Sequence, residues 1–333
     1  MKRILTFFTF IALALWAFPS HASHIAGADL SYECQGNGVY LINLDLTRDC
    51  GGIAAPTSAN VLISTSGCGN LQANLAQVSN SFPSDFCWSQ QTTCNNGNNP
   101  GFERIRYQGI VTLPSNCGIA DLSYNLCCRN PVATNVTNPS ANDLYVEAQI
   151  NTTVCNNGPD FPHPSSLVVC DGQAVTIYTG GLDPDGDSLV YSLATPLGSG
   201  GNPLMYAPGF SAGMPLSTTG GVAIDPLTGE ISFTPNGIQA GVIAVNVKEY
   251  RNGQLVGQSN RDFTIMVVSC APGNTAPFQS AGPSNITGGS LVAANHLSVC
   301  TGTALSFDIS FDDNDLNDSL GYTTPAGLPS GMT

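Results

Sequence analysis

Gly241-Val242-Ile243-Ala244-Val245-Asn246-Val247-Lys248-Glu249-Tyr250-Arg251-Asn252-Gly253-Gln254, followed by the return through Phe263-Thr264-Ile265-Met266-Val267-Val268, reads as one long hairpin. Ile243, Val245 and Val247 line one arm, and Phe263, Ile265 and Val267 line the other. Asn252-Gly253 between them is the dipeptide that supplies a tight two-residue turn. The same period of two recurs in Leu144-Tyr145-Val146-Glu147-Ala148-Gln149-Ile150, in Leu122, Tyr124, Leu126 and Cys128, and in Tyr40, Ile42, Leu44 and Leu46. Helical spacing is confined to Leu71, Leu75 and Val78, and it is short. Alternation of this kind predicts an all-β chain whose strands lie between Gly, Pro and Asn turns, arranged as sandwiches.

Composition narrows the function classes. Only 10% of the 333 residues are charged, and 23 acids outweigh 9 bases for a net charge of −14. Such a balance argues against nucleic-acid binding and against docking on an anionic membrane. Lys2 and Arg3 precede an apolar run from Ile4 to Phe18 and then Pro19-Ser20-His21-Ala22, which is the pattern of a secretory signal over residues 1–22. The run is too short for a spanning helix, and no later segment has the length and apolarity, so the chain is expected not to be membrane-embedded. Export accounts for twelve cysteines as disulfides. Metal binding would want paired Cys-x-x-Cys spacings, and none exists.

A repeat sets the expected boundaries. Cys170, Gly172, Ala174, Asp183, Asp187-Ser188-Leu189 and Tyr191 match Cys300, Gly302, Ala304, Asp313, Asp318-Ser319-Leu320 and Tyr322, with one residue inserted. This predicts a Cys-rich N-terminal β domain over 23–155, a sandwich repeat over 156–270, and the truncated start of a further repeat over 271–333. Parity of the cysteines suggests staples Cys155–Cys170 and Cys270–Cys300 at the module joints. The rival pairing, Cys170–Cys270, would leave Cys300 waiting for a partner. Cys127 and Cys128, if they lie on a strand, face opposite ways and should take different partners.

Candidate chemistry is sparse. Gly209-Phe210-Ser211-Ala212-Gly213 matches a nucleophile elbow, but Pro208 before it and Met214-Pro215 after it leave no room for the required strand and helix. Asp183, Asp185 and Asp187 alternate along a loop, which lets hard oxygen ligands converge on a cation such as calcium; plain turn formation is the competing reading. A second copy holds Asp312, Asp313, Asp315 and Asp318. Trp88 beside Cys87 reads as packing against a disulfide rather than as a sugar platform. Asn135-Val136-Thr137, Asn151-Thr152-Thr153 and Asn285-Ile286-Thr287 fit N-glycan acceptor patterns. No catalytic constellation emerges.

Asp183-Pro184-Asp185-Gly186-Asp187-Ser188-Leu189-Val190-Tyr191 and Ile224-Asp225-Pro226-Leu227-Thr228-Gly229-Glu230-Ile231 resemble a cadherin-like, dystroglycan-type Ig-like module. Lys248-Glu249-Tyr250-Arg251-Asn252-Gly253, Arg261-Asp262-Phe263, Ser23-His24-Ile25-Ala26-Gly27, Thr47-Arg48-Asp49-Cys50 and Cys127-Cys128-Arg129-Asn130 extend the match. Together they resemble large secreted surface proteins of Bacteroidetes, of the gliding-motility-associated or type IX secretion cargo kind. The resemblance implies tandem disulfide-stapled Ig-like/cadherin-like sandwiches on the outer surface of a Gram-negative bacterium. It also implies structural calcium at Asp183, Asp185 and Asp187. The expected function is adhesive or structural and non-enzymatic, with other cell-surface proteins or glycans as partners. The alternative is that these are accessory modules, with glycans among their targets, of a larger secreted enzyme whose catalytic domain lies beyond residue 333.

Overall fold

The computed structural model describes residues 24–82, 91–162, 166–270, 277–293, 296–300 and 302–315. The expected signal segment, Cys87, Trp88 and Asp318 lie outside the described residues. The chain is all-β, and among the described residues the only helical segments are short 3₁₀ turns. Its first part contains β1 (Ile25–Gly36), β2 (Val39–Asp49), β3 (Ser58–Thr65), β4 (Gly69–Ser81), β5 (Phe102–Thr112), β6 (Ile119–Leu126) and β7 (Leu144–Asn151). The second contains β8 (Ser166–Cys170), β9 (Val175–Tyr178), β10 (Ser188–Ala194), β11 (Thr218–Ile224), β12 (Glu230–Pro235), β13 (Gln239–Arg251) and β14 (Gln254–Val268). Four further strands follow, β15 (Phe278–Thr287), β16 (Gly289–Ala293), β17 (His296–Val299) and β18 (Ser306–Asp312): β16 and β17 form a hairpin, and β15 pairs with β18 around it.

The hairpin that decided the class is β13–β14, paired from Gln239↔Val267 to Arg251↔Gln254. Asn252 and Gly253 both take positive φ, 51° and 76°, as a turn matched to the strand twist requires. Leu71, Leu75 and Val78 lie on β4, so that segment is a strand rather than a helix. Its pairing with β3 on one side and β5 on the other satisfies the backbone, and this outweighs a weak local helical spacing.

Alternate residues of β1–β7, among them Leu30, Tyr32, Tyr40, Ile42, Leu44, Val61, Leu75, Tyr107, Leu122, Val146 and Ile150, form one core. A second core lies between the sheet β10-β13-β14-β8 and the sheet β11-β12-β9. Ile243, Val245, Val247, Phe263, Ile265 and Val267 meet Ile177, Ile231 and Phe233 there, which makes a two-sheet sandwich.

The two cores share a strand. One edge of β14 is taken by β13. Along the other edge β14 pairs in turn with β7 (Ser259↔Ala148), with β1 (Asp29↔Arg261) and, in parallel, with β8 (Val268↔Cys170). The path β1-β2-β5-β4-β3-β6-β7 therefore has both ends on β14, closing a hydrogen-bonded circuit of eight strands. Closure leaves the first sheet no free edge along this seam.

This topology corrects the disulfide expectations. Cys155 joins Cys34, because the segment after β7 runs beside β1, with Gly158 N donating to Tyr32 O and Cys34 N to Asn157 Oδ1. Cys170 joins Cys270, because parallel pairing sets the end of β8 beside the end of β14. Cys300 is unpaired and exposed. Cys127 and Cys128 are joined to each other; β6 ends at Leu126, so the opposite-face rule for strands does not govern them. Cys50–Cys94 and Cys68–Cys117 complete the set among the described residues.

Candidate functional site

Charge is scarce; one network ties β2 to β5 through Asp45, Arg104 and Arg106, and two further clusters lie beside β14 and β13. The first is the seam between the cores. Arg261 points to the sandwich side of β14 and pairs with its cross-strand neighbour Asp29 on β1, Nε to Oδ1 at 2.6 Å. Its guanidinium lies 4.2 Å from the Phe161 ring centroid and also donates to the Thr179 carbonyl. On the opposite face, Asp262 takes a two-pronged bond from Arg129, at 2.8 and 2.7 Å. Arg129 further donates to the carbonyls of Asp143 and Leu197. All four side chains are buried, none more than 3% exposed. Burial pushes the Asp262 carboxyl up, and the Arg129 guanidinium pulls it back. Asn130 donates to Asp49 Oδ2, and Ile25 N donates to the Cys128 carbonyl. Three motifs far apart in sequence thus meet at one end of the seam.

The second place is the acidic loop. Asp183, Asp185 and Asp187 bring carboxylate oxygens within 4.8 Å of one another. Asp183 Oδ1 accepts from the backbone N–H groups of Asp185 and Asp187, both at 2.9 Å, which folds the loop inward. A side chain absent from the sequence expectation enters here. Arg251, at the end of β13, grips both oxygens of Asp187 at 2.8 and 2.7 Å and Asp185 Oδ2 at 2.7 Å. Asn157 donates twice to Asp185. Burial raises the Asp185 carboxyl, but the Asn157 and Arg251 bonds pull it below its ordinary value.

Behind the loop sits Glu249, with no exposed surface. Its Oε2 accepts from Asn156 Nδ2 at 2.6 Å, and Asn156 Oδ1 in turn accepts from Arg251. Two buried carboxylate oxygens, Asp183 Oδ2 and Glu249 Oε1, have no hydrogen-bond partner. Burial first, then repulsion from the three aspartates, pushes the Glu249 carboxyl up to about 8. The folded chain therefore holds a proton that the unfolded chain has lost between about pH 4.5 and 8. Stability is expected to fall as pH rises through this window, by up to about 1.4 kcal/mol per pH unit. Chemical denaturation at pH 5, 6, 7 and 8 checks this, and Glu249→Gln should flatten the profile.

A calcium ion is the cofactor that the resemblance implies, and the donor set fits it in part. Asp183 Oδ2 is an orphaned hard oxygen at the convergence, while Asp185 and Asp187 share their lone pairs with Arg251. In the second copy, Asp315 N donates to Asp313 Oδ1 at 2.9 Å, repeating the turn bond from Asp185 N to Asp183 Oδ1, while Asp313 N donates to the adjacent Asp312 Oδ1.

Other sequence candidates resolve simply. Ser211 pairs with Met214 across a tight loop and opens no helix. Asn135 is buried: its Nδ2 donates to the Pro215 and Val242 carbonyls and its Oδ1 accepts from Val242 N, so it offers no amide to a glycan.

The signal for the missed residues was charge poverty itself. All six arginines among the described residues are ion-paired, so each arginine in or beside a strand marks a carboxylate across the fold. No protein-family model matches the chain, and no curated protein matches it. Among solved structures it is similar to the titin Ig tandem domains A164-A165, at 10% identity, over 74% of this chain and 99% of that one, with a TM-score of 0.21.

Proposed function

We propose that this chain is a non-catalytic structural or adhesive segment of an extracellular modular protein, stiffened where its modules join. The observation that carries the reading is the seam: strongly polar side chains that could have served chemistry are spent on buried ties, Asp29–Arg261 and Arg129–Asp262. Five disulfides among the described residues suit an oxidising compartment. No helix among the described residues is long and apolar enough to cross a membrane. The finer reading, a surface protein of the gliding-motility-associated or type IX secretion kind, rests on the sequence motifs alone.

Calcium belongs to this reading as a ligand of Asp183, shared with Asp185 and Asp187. With Arg251 already neutralising part of the loop, affinity should fall in the ~0.1–1 mM class of extracellular modules. Calorimetry in EDTA and then in ~10 mM calcium should show a rise in melting temperature of a few degrees, since tenfold saturation adds about 1.4 kcal/mol. Asp183→Asn should remove the rise. A melting temperature indifferent to calcium sinks the calcium part. Turnover of a peptide, ester or glycosidic substrate that one point substitution abolishes would sink the non-catalytic part.

A further inference from the structure

Where the two sheets join, four strands present polar side chains in matched rows on the face away from both cores. The pairings Asp121↔Gln149, Gln149↔Gln258 and Gln258↔Lys248 run one row across β6, β7, β14 and β13. Two residues along each strand, Glu147, Asn260 and Asn246 form a second row, with Glu147 N donating to Asn260 Oδ1 at 2.7 Å and Asn260 paired with Asn246. Between the rows lies a depression of about 110 Å³.

We propose that this depression binds a neutral saccharide. One water needs ~10–15 Å³, so the space has room for several, and its amide and carboxylate lining can hydrogen-bond whatever fills it. A ligand that displaces such waters must replace their hydrogen bonds, and a ring bearing a hydroxyl on nearly every carbon does so. Amides both donate and accept, carboxylates accept, and Lys248 donates, which matches hydroxyls that do both. Other ligands fit less well. The lining has no aromatic ring, so neither a base nor an indole can stack there and a sugar would be held through its hydroxyls alone. Two acids against one lysine leave it net negative, which disfavours phosphates and uronic acids. All four strands are interior here, so no peptide can add as a further strand. The Gln149 Nε2 bond to Asp121 Oδ1, at 2.7 Å, fixes the acid end in advance.

The test is amide-resolved NMR of the full chain in EDTA, titrated to ~10 mM with maltose, cellobiose or diacetylchitobiose, above the millimolar affinity a few hydrogen bonds can give. At least one sugar is expected to shift the side-chain amides of Gln149 and Gln258, with galacturonic acid silent. Gln258→Ala, which removes a hydrogen bond to the ligand, and Glu147→Gln, which replaces a charged acceptor by a neutral one, should each weaken binding about tenfold with an unchanged melting temperature. The proposal is overturned if no neutral sugar shifts these amides, if both variants bind as wild type does, or if calcium alone reproduces the shifts.

Discussion

Asp262→Ala is expected to cost about 3–5 kcal/mol, because it leaves the Arg129 guanidinium buried and unpaired. For a unit of this size that lowers the melting temperature by roughly 10 °C, measurable by calorimetry. The pair itself need not stabilise: the double replacement Arg129→Met with Asp262→Leu should recover most of the loss, since two desolvated charges are exchanged for apolar packing. What the double variant should not recover is register. Arg129 also bonds the carbonyls of Asp143 and Leu197, so its guanidinium fixes the chain after β6 against both β14 and the loop after β10. Recovery of stability together with broadened amide resonances around Asp143 and Leu197 is the expected outcome. A double variant as unstable as Asp262→Ala would show that the fork's other bonds, and not the stranded charge, carry the cost.

The second large effect concerns the shared strand. A fragment ending at Asn157 keeps β1–β7, the Cys34–Cys155 bridge and nearly all of the first core, yet it loses β14. The edges of β1 and β7 would then expose unpaired backbone groups, while Asp29 and Arg129 lose their ion-pair partners Arg261 and Asp262. Such a fragment is expected to unfold without cooperativity or to self-associate through the open seam. Extending it to Cys270 should restore a single sharp transition. A fragment to Asn157 that melts sharply as a monomer would show that β14 is a neighbour of the first core and not part of it.

Both predictions depend on features that the sequence concealed. The hairpin was legible because its alternation and its Asn-Gly turn are local, and so were the core positions of β2, β6 and β7. The acidic loop was legible because its three aspartates lie within five residues. Arg129 and Asp262 are 133 residues apart, and Asp29 and Arg261 are 232 apart. No spacing rule reaches that far. Glu249 is one acid in an alternating strand, and its burial follows from what packs behind the loop. The disulfides were misjudged for a related reason: parity counts cysteines, whereas pairing follows which strand ends come together. Cys170 meets Cys270 only because β8 runs parallel to β14, a pairing that hairpin logic does not suggest.

The two long disulfides have a mechanical consequence. A chain pulled from its ends delivers tension first to the covalent path, and Cys170–Cys270 spans a separation of 100 residues. Once that bridge is loaded, the 99 residues between its cysteines are bypassed, withholding ~330–360 Å of contour that a reduced chain would release. Cys34–Cys155 does the same for the 120 residues of the first part. Under load the oxidised protein can lengthen only through the stretches outside these two bridges, so redox state decides how much of each core can be drawn out.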